Sequence, residues 1–106
     1  MAITYKVEIQ PLALRDMTDS VTYIADKLKN PIAAERLAER LVEGIESLSE
    51  LPTRCPPHLS PRPLKREYRK LRVDSYLIFF TVSEEEETVT VARVLYARRN
   101  LDRLLG

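Results

Sequence analysis

The sequence predicts an α+β fold in one domain spanning residues 1–106: an N-terminal strand, a two-helix antiparallel hairpin, then a three-stranded antiparallel meander. Three observations support this fold class. Apolar residues alternate near the N-terminus, two later stretches carry apolar residues at helical spacing, and three strand-like segments follow a proline-rich stretch. Because a helix with one apolar stripe must cover an apolar surface, the hairpin is expected to pack on one face of the sheet.

The first two elements meet at Pro11. From Ile3 to Ile9, apolar and polar residues alternate, which is typical of a half-buried strand. Pro11 then suits the first turn of a helix, where its missing N–H is not needed. The expected apolar stripe of this helix is Met17, Val21, Ile24 and Leu28.

The second helix is expected to begin at Asn30-Pro31, an N-cap residue followed by a first-turn proline. Its apolar stripe is Leu37, Leu41, Ile45 and Leu48. The short Lys29-Asn30 junction favours an antiparallel hairpin, and Pro52 is expected to end the helix.

Residues 52–63 contain five prolines, so a loop or arm without regular structure is predicted there. The strands of the meander are predicted at Tyr68–Val73, Tyr76–Val82 and Val89–Leu95, with turns at Asp74-Ser75 and Glu84–Glu87. The middle segment is apolar on both faces, which predicts a central strand. The pattern from Arg98 to Leu105 is compatible with a short closing helix.

Charge is nearly balanced over the chain, with 17 basic and 16 acidic residues, but it is segregated along the sequence. Between Arg54 and Arg72 only Glu67 opposes a run of cations. These cations are Arg54, Arg62, Lys65, Arg66, Arg69, Lys70 and Arg72. Such segregation bears on the choice of partner more than the net charge of +1 does.

The single cysteine, Cys55, allows no intramolecular disulfide, which fits a reducing compartment. No apolar run has the length of a signal peptide or of a membrane span, so we expect a cytoplasmic protein that does not contact membranes. Cys55 and His58 provide too few ligands for a structural zinc site. We therefore expect a loop thiol and a solvated histidine, with no metal and no cofactor.

The segment Tyr68–Val73 carries the most informative pattern. A period of two places Tyr68, Lys70 and Arg72 on one face of a strand and turns Leu71 and Val73 to the other, under the helices. Cations beside an aromatic ring suit RNA, because the cations meet phosphates and the ring stacks on a base. The alternatives are a solvated charged face and a docking site for an acidic protein, and Arg98 and Arg99 could join this face.

Four stretches together resemble the RelE/ParE superfamily of toxins from type II toxin–antitoxin systems. They are the opening strand ending in Pro11, "IESLSELP", "YRKLRVDSYLIFFTV" and "VTVARVLYARRNLDRLL", which together span Tyr5 to Leu105. The resemblance implies a helical hairpin on a twisted antiparallel sheet. It also implies a plasmid-stabilising toxin, inhibited within a hetero-oligomer by a cognate antitoxin that is usually encoded next to it and wraps around it.

The resemblance implies two alternative targets. RelE-like members cleave mRNA on the ribosome without a metal, whereas ParE-like members block DNA gyrase. For the first branch, Leu77 stands where the nucleases have an arginine, and Leu105 where RelE itself has a tyrosine. The catalytic candidates for a nuclease are Lys70, Arg72, Tyr96 and Arg99.

The C-terminal stretch reads more like the ParE branch, so gyrase is slightly favoured over mRNA as the target. A third hypothesis is a binding module that is not toxic or has lost its site. For the antitoxin, which is expected to be acidic, we predict a groove between the hairpin and the sheet. Its expected basic rim, which could alternatively meet nucleic acid, is Arg62, Lys65, Arg66 and Arg69.

Overall fold

The computed structural model describes residues 3–59, residues 66–98 and Leu105. Its strands are β1 (Lys6–Ile9), β2 (Arg69–Val73), β3 (Tyr76–Ser83) and β4 (Thr88–Tyr96). Its helices are α1 (Pro11–Thr22), continued by a π turn (Tyr23–Lys27), and α2 (Pro31–Ser47), with a 3-10 turn at Pro52–Arg54. The predicted order of strand, helical hairpin and three further strands is confirmed.

The strands form one sheet in the order β1-β4-β3-β2. The meander of β2, β3 and β4 is antiparallel, as predicted, whereas β1 pairs in parallel with β4. The segment predicted as the central strand is β3, which is buried on both faces through Leu77, Ile78, Phe79 and Phe80. Both helices pack on one face of the sheet, which we call the helix face, and the opposite face is called the open face.

A β-bulge lies in the middle of β4. Phe79 pairs with Arg93 and Phe80 pairs with Val91, so Ala92 is the extra residue. The bulge changes which residues face the helices, because one inserted residue reverses the alternation of a strand. Thus Val91 and Val94 both join the core on the helix face, while Leu95 joins a second cluster on the open face.

The first helix departs from its expected stripe at its C-terminal end. Met17 is buried and Val21 and Ile24 pack against the core, as predicted. Leu28, however, is 57% exposed. The cause is the π turn, in which the N–H of Leu28 donates to the carbonyl of Tyr23, five residues earlier, at 3.2 Å. Because this turn contains more residues than an α-helical turn, Leu28 no longer follows the stripe.

The second helix begins as predicted, with the Asn30 side chain accepting a hydrogen bond from the N–H of Ala33 at 3.1 Å. Its buried residues are Ala34, Leu37, Leu41 and Ile45. The predicted end at Pro52 is wrong, because α2 ends at Ser47. The Arg54 guanidinium satisfies the carbonyls beyond it, donating to Glu50 O at 2.6 Å and Leu51 O at 3.1 Å.

Gly44 lets α2 lie close to the sheet. A Cβ at this position would lie 2.8 Å from Cγ2 of Val73 and 3.3 Å from Cδ1 of Ile78. The predicted placement of Leu71 and Val73 under the helices is confirmed, since both pack against the core on the helix face. The glycine therefore sets the spacing between α2 and the edge of the sheet.

The proline-rich stretch is more regular than expected. Besides the 3-10 turn at Pro52–Arg54, Pro57 forms an isolated bridge with Arg69 at the edge of β2. Residues 60–65 and most of the predicted closing helix lie outside the described residues, although Leu105 is helical. No helix in the described part of the chain is long and apolar enough to cross a membrane.

Candidate interaction surfaces on the two faces of the sheet

The open face carries two of the predicted cations above an apolar cluster. Lys70 pairs with Phe79, and Arg72 pairs with Leu77, so these residues share a face. The buried residues of the cluster are Leu77, Phe79 and Leu95, and Tyr68, Ala97 and Leu105 pack against them. The predicted strand face of Tyr68, Lys70 and Arg72 is therefore present, but its surroundings are largely apolar.

His58 belongs to the open face as well. Its Nδ1 lies 3.4 Å from Nζ of Lys70, and its ring meets Phe79 edge-on at 5.2 Å. The expectation of a solvated histidine is wrong, because the ring is half-buried. Cys55, three positions earlier, is buried in the core of the helix face, so the thiol and the imidazole belong to opposite sides of the sheet.

Burial raises the pKa of the Cys55 thiol above its ordinary value, and the nearby Arg54 and Arg69 offset only part of this rise. A raised pKa disfavours the thiolate, which is the reactive form. Cys55 is therefore a core residue rather than the loop thiol that its sequence neighbourhood suggested.

Tyr96 lies on the other face from Lys70 and Arg72. It pairs with Tyr76, and the two rings meet at 5.6 Å and 69°. Tyr76 packs against the core of the helix face, so Tyr96 shares that face. The fourth catalytic candidate, Arg99, lies outside the described residues. Among the described candidates, the structure brings Lys70 and Arg72 together and separates them from Tyr96.

The four cations of the predicted basic rim do not form one surface among the described residues. Arg62 and Lys65 lie outside the described residues, and Arg66 is exposed. Arg69 is half-buried, and its guanidinium donates to the carbonyls of Cys55 at 2.7 Å and Thr53 at 3.3 Å. It thus ties the proline-rich segment to β2.

A groove of about 1020 Å³ opens on the helix face, beyond the end of β1. One wall is formed by α1 and the π turn, the other by the first half of α2, and the floor by the start of β3 and the end of β4. Tyr23, Leu28 and Ile32 line it with exposed apolar surface. Tyr96 also lines this groove.

The charges of the groove are mixed rather than uniformly basic. Arg36 and Arg40 stand on the α2 side, and Arg40 donates to both carboxylate oxygens of Asp74 at 2.9 Å. Asp16 and Asp19 line the α1 side. Among the described residues, the cations that line this groove come from α2, and neither Arg66 nor Arg69 lines it.

Asp16 connects α1 to the end of β4. Its carboxylate accepts hydrogen bonds from the Arg93 guanidinium at 2.7 and 2.9 Å and from the backbone N–H of Val94 at 3.0 Å. The hydrogen bond to Asp16 raises the pKa of Arg93 further above its ordinary value, against the effect of burial. Nothing in the spacing of the sequence indicated this pair, which lies at the groove.

Comparison with known proteins identifies the family. The family model for the ParE toxin of the type II toxin–antitoxin system parDE matches residues 7–101. The chain belongs to the ParE toxin family. The match covers α1, α2, β2, β3, β4 and all of β1 except Lys6, and it confirms the predicted place of this toxin in the RelE/ParE superfamily.

Solved structures with the same fold agree with this assignment. The chromosomal ParDE TA system from P. aeruginosa is similar with a TM-score of 0.71 and 15% identity, covering 90% of the toxin and 98% of the other chain. The RelBE2 toxin–antitoxin complex from Mycobacterium tuberculosis gives 0.59 and 26%, with coverages of 89% and 92%. The archaeal RelE–RelB complex from Pyrococcus horikoshii OT3 gives 0.60 and 15%, with coverages of 91% and 98%. No curated protein gives a significant sequence match to the toxin.

Proposed function

We propose that this toxin arrests growth in the cytoplasm by binding its target, DNA gyrase, as ParE-like proteins do, and not by cleaving mRNA. The observation that carries the proposal is the apolar cluster on the open face. Leu77, Phe79 and Leu95 are buried on the face that carries Lys70 and Arg72, where a nuclease of the RelE branch holds its catalytic cations.

The chemistry of RNA cleavage explains why this cluster matters. Metal-free attack by a 2′-hydroxyl needs groups that move protons and groups that stabilise the charge of the phosphorane, all in one site. Lys70 and Arg72 could stabilise charge, but Tyr96 lies on the opposite face of the sheet. Leu77 occupies the position of the nuclease arginine, so the side chain at this position carries no charge.

The groove on the helix face supports a second part of the proposal, a neutralising antitoxin. Its volume of about 1020 Å³ is at the upper end of ligand pockets, which are about 300–1,000 Å³. Exposed Tyr23, Leu28 and Ile32 favour a protein partner, because contiguous apolar surface is costly to leave in water. The solved structures in which a chain shares this fold are described as a ParDE TA system, a RelBE2 toxin–antitoxin complex and a RelE–RelB complex.

Two assays test the mode of action. The first induces the toxin in a bacterial host, follows growth, and maps new 5′ ends on translated messages. The second adds the purified toxin to gyrase and relaxed plasmid and measures supercoiling. We expect growth arrest without new ends in reading frames, and inhibited supercoiling in vitro.

Other outcomes would decide against the proposal. Arrest with new cleavage ends inside reading frames would establish the ribosome-dependent endoribonuclease instead. The absence of any arrest, with the protein confirmed to be folded, would leave a binding module that is not toxic. Restored growth on co-expression of the adjacent gene would support the antitoxin part separately from the identity of the target.

A further inference from the structure

β1 is an edge strand with main-chain groups that face away from the sheet. The N–H of Lys6 donates to the carbonyl of Glu87 at 2.9 Å, so Lys6 turns its main-chain groups towards β4. In a parallel ladder, residues that do so alternate along the strand with residues that turn both groups outwards. The N–H and carbonyl groups of Val7 and Ile9 therefore point away from β4.

The start of this edge is covered by the chain itself, whereas its end is free. The N–H of Tyr5 donates to the carbonyl of Ser49, just after α2, at 2.8 Å. The outward groups of Val7 and Ile9 make no hydrogen bond with any residue that the structure describes. A row of unpaired main-chain groups on an edge strand is a template for a further strand.

One antiparallel register lets a second copy of β1 satisfy all of these outward groups. If Val7 lies opposite Ile9 of the other copy, the two strands exchange hydrogen bonds at both positions. Pairing Val7 with Val7 would instead bring Ile9 against Tyr5, whose N–H is held by Ser49. Pairing Ile9 with Ile9 would bring Val7 against Pro11, which has no N–H to donate.

On the helix face, this register joins two apolar side chains. Tyr5 and Val7 pack against the core, so the odd-numbered residues of β1 face the helices. Ile9 is 42% exposed in the single chain. Opposite Val7 of the other copy, its side chain would leave water and contact an apolar neighbour, as cross-strand pairs do.

On the open face, the same register brings opposite charges together. Lys6 and Glu8 form an exposed ion pair of 3.2 Å, and their neighbours in β4 are the uncharged Thr88 and Thr90. Glu8 would face Glu8 of the other copy, and each Lys6 would lie diagonally from that second carboxylate, within reach of a long side chain. Two ammonium groups would thus neutralise two carboxylates.

We propose that β1 is a self-association edge, through which two copies of the toxin form a two-fold dimer with one continuous sheet. The interface is isologous, because each copy contributes the same residues to it. A short strand pair buries less than the roughly 1,200 Å² typical of stable interfaces, so the dimer is weak and forms at high concentration. This inference goes beyond the proposed function and does not depend on the target.

Analytical ultracentrifugation of the purified full-length toxin tests for the dimer. We expect the average mass to rise towards that of a dimer between about 5 µM and about 500 µM, the range of a small transient interface. Val7→Pro removes an outward N–H and keeps the pairing with β4, whereas Val7→Ala removes the side chain and keeps the N–H. We expect Val7→Pro to dimerise at least about tenfold more weakly than Val7→Ala, since each dimer loses two hydrogen bonds.

A charge swap tests the register independently. Lys6→Glu would place four carboxylates together, so we expect it to weaken the dimer at least about tenfold. Adding Glu8→Lys to this variant restores two charges of each sign, and the dimer should return to within about threefold of the original affinity. A purely structural effect of Lys6→Glu would not be rescued in this way. Thermal unfolding checks that all variants are folded.

Three results would overturn the dimer. The first is a toxin that stays monomeric at the highest concentration. The second is a dimer that persists unchanged in both Val7→Pro and Lys6→Glu, because its interface would then lie elsewhere. The third is an Ile9 amide whose hydrogen exchange slows only on addition of the adjacent gene's product, and not with toxin concentration, because the edge would then belong to that partner. None of these results bears on whether the toxin inhibits gyrase.

Discussion

Asp16 and Arg93 are 77 positions apart in the sequence, and their side chains form an ion pair with two hydrogen bonds of 2.7 and 2.9 Å. Both side chains are largely buried, Arg93 at 15% and Asp16 at 12% exposure. The carboxylate also accepts the N–H of Val94. Asp16 therefore takes the place of a strand neighbour where β1 ends, and it fixes α1 to the edge of the sheet.

We predict that Asp16→Ala lowers the free energy of unfolding by about 3 kcal/mol, because it removes the carboxylate with which the mostly buried Arg93 guanidinium forms two hydrogen bonds. Asp16→Asn should cost less, since its side-chain oxygen can still accept the N–H of Val94. Urea denaturation measures both. Arg40→Ala is the matched control: the Arg40–Asp74 pair is exposed, so its loss should cost less than about 1 kcal/mol. If Asp16→Ala and Arg40→Ala lowered the free energy of unfolding by similar amounts, burial would not be the reason for the strength of the Asp16–Arg93 pair.

For Gly44→Ala we predict a loss of stability, which is opposite to the usual effect of this substitution within a helix. Glycine to alanine within a helix normally stabilises by about 1 kcal/mol. Here the new Cβ would lie 2.8 Å from Cγ2 of Val73, so we expect Gly44→Ala to lower the free energy of unfolding by about 1–2 kcal/mol through overpacking. The same substitution in a Val73→Ala background, where that methyl group is absent, should cost less. An equal cost in both backgrounds, measured by denaturant unfolding, would rule out the contact as the cause.

The pKa of Cys55 predicts a pH dependence of stability. The folded protein holds this pKa above the ordinary value of 9.0, so above pH 9 the unfolded chain loses the thiol proton while the folded protein retains it. The free energy of unfolding should therefore fall as the pH rises from 9 towards the raised pKa, and it should be unaffected by this group below pH 9. Cys55→Ala removes this contribution while leaving other titrating groups in place. Parallel stability curves of the two proteins between pH 8 and about 10 would refute the prediction.

The mode of action predicts a result for Lys70. If the toxin acts by binding and does not cleave mRNA, Lys70→Ala should still arrest growth, with a change of less than about threefold in the inducer level required. A nuclease would lose much of its rate, because removing one charge-stabilising donor costs about 10²–10³-fold. Growth curves over an inducer titration, with immunoblots to equalise expression, distinguish the two results.

Much of the fold follows from periodic patterns in the sequence. Alternation and helical spacing place Met17, Leu41 and Ile78 in the core, and the capping residue Asn30 marks the start of α2. These patterns are local, so a sequence displays them directly. The family resemblance implied a helical hairpin on an antiparallel sheet, whereas the strand order β1-β4-β3-β2 and the parallel pairing of β1 with β4 were not predicted.

The features of the two surfaces depend on contacts between distant parts of the chain. Arg69 looks like a binding cation in sequence, but it is held by carbonyls of Thr53 and Cys55. A regular alternation along β4 would place Tyr96 on the face of Lys70. The bulge at Ala92 breaks this alternation, so Tyr96 lies on the helix face. The groove could not be located from spacing either, because its walls and floor come from four separate elements.

The bulge at Ala92 also governs how residues of this toxin should be equated with those of its relatives. After Ala92, each side chain of β4 lies on the face opposite to the one that regular alternation from the start of the strand would give. An alignment that places its gap elsewhere would match Tyr96 to residues whose side chains lie on the opposite side of the sheet. Residue roles near the C-terminus should therefore be transferred by superposed backbone position. A deletion of Ala92 would restore the alternation and turn the groove residues of β4 to the open face and its cluster residues to the helix face.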